Sequence, residues 1–185
     1  MGLINAALYQ YLHDNLPNIV WVDASDLVDE IKAVKSEDEL VYVKESIKVH
    51  DAFASAVPAI VRPGVYEFEV RSENKRLLEN LGSEQQLIML GSSPAGAPTP
   101  HLDTFFQNRQ LKSGDQIMIM VEANGPGGFY SEIMRTWCLG EPSQELHDTW
   151  ETSKKIQQYA ASLLKPGVNP SEIIDQVNYH NLNGL

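Results

Sequence analysis

A chain of 185 residues with 43% hydrophobic and 8% aromatic residues can build one good-sized core, which excludes a disordered polymer. Its formal net charge of −11 argues against nucleic acid or an anionic membrane as the main partner, since both want a basic face. The single cysteine, Cys138, excludes an internal disulfide; with no run near the ~18 apolar residues of a membrane span and no basic-then-apolar leader, a cytoplasmic protein is expected.

Ala6, Leu8, Tyr9, Leu12 and Leu16 recur at helical spacing and stop at Pro17. Ile19 to Val22 predicts a short strand, and Ser25 or Asp26 caps an acidic helix, DLVDEIKAV. These first 33 residues are too few for an independent domain. Ser36 and the SEDE run open a long helix by a capping box. Leu40, Val43, Ile47, Ala54, Val57 and Val61 predict its buried stripe, with a bend at Pro58. Arg62-Pro63-Gly64 ends it, and a second helix runs to Gly82. Gln86 to Leu90 reads as a strand, followed by a Gly/Pro/Ser-rich loop over residues 91–100 that delivers His101.

Gly114 to Gly140 is the most informative stretch. A Gly-Asp turn leads into an apolar strand, Gln116 to Glu122. Asn124 to Gly128 breaks it, and Phe129 to Cys138 returns, predicting a β-hairpin with a longer loop. Glu132 and Arg135 are charged groups within this apolar frame, and such groups need partners or a task. The Gly125-Pro126-Gly127-Gly128 loop joins two strands and opens no helix, so it does not read as a phosphate cradle. Cys138 reads as a small core residue.

Ser143 to Leu164 predicts another long helix. RPGVYEFEV at 62–70 and KPGVNPSEI at 165–173 agree at Pro, Gly, Val, Glu and the last aliphatic, 103 residues apart (165 minus 62), which suggests an internal repeat of helix, turn, helix and strands. The second copy reaches Leu185 without strands, so if the duplication is real an incomplete chain, lacking its last ~75 residues, is expected.

The segment from KSEDEL to FEV, then Pro100-His101, LKSGDQIMIM, GFYSEIMRTWCLG and LLKPGVNPSEI, in this order over roughly Val34 to Val177, resembles the aminopeptidase P, prolidase and creatinase family of pita-bread hydrolases. The resemblance implies an α+β fold: the first half of the pita-bread domain plus the helices of its second half, with helices on one face of a curved antiparallel sheet. It implies that residues 1–33 are the end of a smaller N-terminal domain and 34–185 the start of the catalytic domain. It also implies a homodimer.

Family peptidases hold two divalent metals, Mn, Co or Zn, with an Asp on each hairpin strand and three ligands farther on. The second Asp position is Glu132 here. The first falls on Met120 counted forward from the Gly-Asp turn, or on Val121 counted back from Glu132; neither offers the oxygen a hard cation needs. A reaction without metal is therefore open, and Glu132 is a metal ligand only if one is bound. This departure resembles creatinase, although Met134 stands where creatinase has an acidic residue.

Glu122 shares the face of Met120 because strand side chains alternate. Glu122 and Arg135 are the expected substrate-binding residues, and His101 and Glu132 the catalytic pair, with a Glu132–Arg135 salt bridge as the structural alternative. His101 is placed above His13, His50, His147 and His180, which read as surface or hydrogen-bonding residues, because of its loop. The expected activity is hydrolysis of a C–N bond in a small amide, amidine or dipeptide-like substrate. The alternatives are a metal-dependent Xaa-Pro peptidase or related lyase with altered ligands, and an inactive binding module.

Overall fold

The computed structural model describes residues 4–100 and 108–183, and of 180–183 the backbone alone. The element order is α1 (Ala6–Asn15), α2 (Ser25–Ala33), α3 (Glu37–Ile60), α4 (Glu67–Asn80), β1 (Gln86–Pro94), β2 (Asp115–Asn124), β3 (Tyr130–Cys138), α5 (Gln144–Leu163) and α6 (Pro170–Asn183). No described helix is long and apolar enough to cross a membrane.

Side-chain caps set the starts of α1, α3 and α5, whereas α2 begins after Ala24 with no side-chain cap, so neither Ser25 nor Asp26 caps it and both lie in its first turn. Asn5 caps α1, and Ser36 caps α3 in a full capping box with Glu39, whose carboxyl lies below its usual range because it accepts from the Ser36 backbone N–H and its side chain. Residues 19–22 form no strand. Val20 and Val22 are exposed, and β-branched residues with no neighbouring strand have no ladder to join.

The core is a helix hairpin laid on one face of a three-stranded antiparallel sheet of order β1-β2-β3. Ile117, Ile119, Val121 and Ala123 alternate along β2, all fully buried, and meet Phe53 and Val57 of α3 and Val70 and Leu78 of α4. Helix α3 continues through Pro58 to Ile60. Of the stripe that apolar spacing predicts, Val57 and Val61 are buried, Leu40, Val43 and Ala54 half-buried, and Ile47 falls outside it. Ser46, Val49, His50, Phe53 and Val57 face inward, and Ile47 is 46% exposed. The helix is rotated toward two polar residues because both hydrogen-bond the sheet: Ser131 Oγ lies 2.8 Å from Ser46 Oγ and 2.7 Å from His50 Nδ1. The β2–β3 loop is seated against the same helix. A Cβ on Gly125 would lie 2.6 Å from Ser46 Cα, so this loop is shaped by helix packing.

The repeat is visible in the elements. Helices α3 and α5 end at Ile60 and Leu163, and α4 and α6 begin at Glu67 and Pro170, each pair separated by the same 103 residues as the two Pro-Gly turns. Gly64 and Gly167 hold the matching turns at φ of 93° and 85°, which a side chain disfavours. The first helix pair covers a sheet, whereas α5 and α6 pack on each other and α5 buries no residue.

Candidate functional site

The side chains on the second face of the sheet follow from the ladder register. Glu122 of β2 lies opposite Glu132 of β3 and Leu87 of β1. The next row is Met89, Met120 and Met134, followed by Gly91, Met118 and Thr136, and then Ser93, Gln116 and Cys138. No described helix packs extensively on this face, the open face for its lack of a helix layer; Gly91, Ser93, Gln116 and Met120 are nevertheless buried on it, while Glu132, Met134 and Thr136 are exposed. Of the two positions counted for the missing acid, Val121 is fully buried under the helices and Met120 lies on the other face, and Glu122 is the carboxylate that faces Glu132. Glu122 is half-buried and Glu132 exposed. Arg135 pairs with Ile119 and so belongs to the opposite face, where its Nη1 donates to the Met134 carbonyl at 2.7 Å. The structure thus brings Glu122 and Glu132 together and separates Arg135 from both. No Glu132–Arg135 salt bridge occurs among the described residues.

His101 lies outside the described residues. The chain leading to it is fixed on the open face by residues that periodicity does not reveal. Strand β1 runs beyond Leu90 to Pro94, and the loop then folds back over the sheet. Gln116 Nε2 donates to the Ala97 carbonyl and to Thr99 Oγ1, both at 2.8 Å, and to Ser93 Oγ at 3.2 Å. Pro100 is packed so closely on Gly91 that a Cβ there would lie 1.9 Å from the Pro100 carbonyl oxygen. Only glycine permits that approach.

A buried ionic network supports this loop from beneath. Asp115 accepts from Arg109 Nη1 and Nη2 at 2.7 and 2.8 Å and from the Lys112 N–H at 2.6 Å. The Arg109 fork holds the Asp115 carboxyl below its usual range, and Asp115 in turn raises Arg109. Arg109 Nη1 also donates to Ser92 Oγ at 2.8 Å, and Ser92 donates through Oγ and N–H to fully buried Glu67 at 2.6 and 2.9 Å. The network joins α4, the end of β1 and the start of β2. Its sequence separations hide it from a reading of local pattern. Cys138 sits at the far end of the open face, with its thiol raised by burial and so kept protonated.

Residues 42–180 match the family described as metallopeptidase family M24. The chain belongs to that family. This M24 chain is 26% identical over 180 residues to creatinase of Bacillus sp. strain B-0618, covering 92% of the chain and 43% of that relative. It is 28% identical over 174 residues to Xaa-Pro dipeptidase of Lactobacillus delbrueckii subsp. lactis, covering 92% and 46%. Among solved structures, the prolidase from Pyrococcus horikoshii OT3 superposes with a TM-score of 0.81 at 21% identity, covering 98% of this chain and 52% of that one. The fold is therefore the pita-bread type, and the M24 chain spans about half the length of the relatives it matches.

The family's divalent metals need a set of hard donors. Among the described residues, Glu122 and Glu132 are the carboxylates that the strands place on the open face, Met120 offers a thioether, and no group of three or more His, Cys, Asp or Glu is placed to hold a metal. The described residues do not make up that site.

Proposed function

We propose that the complete protein hydrolyses a C–N bond in a small amide, amidine or dipeptide-like substrate, with Glu122 and Glu132 binding a cationic or polar part of it. The observation that carries this reading is the direct cross-strand pairing of the two carboxylates on an open face to which the Gly91–Pro100 packing also brings the loop. Two like charges directly opposed in a ladder destabilise it, and a bound cation reverses that cost. His101, the residue after Pro100, is proposed as the proton carrier: it takes a proton from the attacking water and delivers one to the departing nitrogen as the C–N bond breaks.

The second reading, a metal-dependent Xaa-Pro dipeptidase, is favoured by the names of the Lactobacillus and Pyrococcus relatives. Elemental analysis of the full-length protein, with turnover of Xaa-Pro dipeptides and of small amidines measured with and without chelator, separates the two. Chelator-insensitive release of product supports the first. Two tightly bound metal equivalents with chelator-sensitive release from Xaa-Pro dipeptides establish the second. The 185-residue chain alone is expected to be inactive, because it spans only about half of its relatives.

A further inference from the structure

The two faces of the same three strands are built from different apolar residues. Beneath the helices they present Ile88, Leu90, Ile117, Ile119, Val121 and Ile133, largely the branched residues that pleated sheets favour. On the open face they present Leu87 and four of the chain's five methionines: Met134, which is exposed, Met89 and Met118, which are half-buried, and Met120, which is buried among them. Met89, Met120 and Met134 form one continuous row across the sheet, immediately beside the Glu122–Glu132 row. Unbranched thioether side chains are flexible and polarisable, and they re-pack around variable apolar ligands where β-branched residues do not.

We propose that this methionine row is a specificity-determining floor, and that the substrate carries a flexible, unbranched apolar segment joined to its cationic group. The inference rests on the reading of Glu122 and Glu132 as the cation-binding pair and adds what lies next to the cation. Charge complementarity fixes the polarity of the ligand: its cation at the acid row and its apolar segment over Met120 and Met134. The Pro100 carbonyl, pressed on Gly91 in the row beyond, bounds the floor on its β1 side. From Glu122 to Met118 the strand advances four residues, about 13 Å, which limits the length of the segment.

The test is NMR of the chain labelled at the methionine methyl carbons, titrated with ethylammonium, butylammonium and hexylammonium, with Met134→Gln, Met134→Leu and Glu132→Gln variants. The methyl resonances of Met120 and Met134 are expected to shift, and affinity to rise about fourfold per added methylene. Met134→Gln should flatten that rise, Met134→Leu should restore it, and Glu132→Gln should weaken all three ligands to a similar extent. Equal affinities across the series, still weakened by Glu132→Gln, would overturn the methionine floor and leave the cation-binding pair standing. Affinities untouched by Glu132→Gln would remove both.

Discussion

Glu122 and Glu132 are Cα partners across β2 and β3, so two carboxylates face each other on one side of the sheet with Met120 and Met134 as the next pair. A fold selected for stability alone would not place like charges there, since directly opposed like charges destabilise a ladder. Replacing Glu132 with Gln is expected to raise the stability of the chain by a few tenths of a kcal/mol, measured by chemical denaturation. The same change in the full-length protein should lower turnover about tenfold or more through the lost charge-assisted contact. A variant that is less stable than the parent would count against the pair as a site held at a cost to stability.

The Arg109–Asp115 pair predicts an acid-sensitive core. Asp115 is buried and its carboxyl is lowered, first by the Arg109 hydrogen bonds and then by the Lys112 N–H. A carboxyl with a folded pKa below its unfolded value of about 3.9 contributes its stability above that value, and the contribution is lost as pH falls through the folded pKa. Asp115→Asn leaves Arg109 without its counter-charge and should cost on the order of 3 kcal/mol at neutral pH. Below about pH 4 the difference between variant and parent should shrink. Denaturation midpoints measured across that range give the comparison, and a constant difference would rule out this origin of acid lability.

How much of this was legible in the sequence depends on the range of the interactions. Local signals were reliable: the Ser36–Glu39 capping box, the Pro-Gly helix stops and the hairpin from Asp115 to Cys138 all formed, because each is decided within a few residues. Alternation along β2 was enough to place Glu122 on the face of Met120. The stripe of α3 was legible at Ala54, Val57 and Val61 but not at its start, where Ser46 and His50 face inward in place of Ile47 and their value depends on Ser131, more than 80 residues away. Arg135, an odd three residues from Glu132 on β3, falls on the opposite face by the same alternation, so the grouping of Arg135 with Glu122 and Glu132 ran against the strand period. The Gln116 anchor and the Arg109–Ser92–Glu67 chain are likewise invisible to periodicity, since polar residues satisfied at a distance carry no local pattern.

Gly91 predicts a separable effect on the loop. A Cβ at this position would collide with the Pro100 carbonyl oxygen, which is backbone and cannot rotate away. Gly91→Ala should therefore lift residues 95–100 from the sheet, expose them to limited proteolysis, and reduce activity of the full-length protein. Gly82→Ala is the control: its φ of 95° makes alanine strained, at a cost of about 1 kcal/mol, but nothing lies within 4 Å of the new Cβ. Equal proteolysis of the two variants at residues 95–100 would show that the Pro100 contact does not hold the loop.

The repeat predicts an uneven distribution of stability along this chain. Helices α3 and α4 bury Phe53, Val57, Val70 and Leu78 against the sheet, whereas the α5 positions 103 residues after Phe53 and Val57, namely Ile156 and Ala160, are only half-buried and meet no strand. A helix pair held mainly by its own mutual contact opens at low free energy, while helices buried on a sheet open near the global limit. Backbone amides of α5 should exchange with solvent orders of magnitude faster than those of α3 around Phe53. Truncation after Gly140 should leave the thermal midpoint of the α3–α4–sheet body unchanged within a few degrees, since a 1 kcal/mol loss corresponds to about 4–8 °C in a body of this size. Protection in α5 equal to that in α3 would mean that the second helix pair is stabilised by more than its own contact.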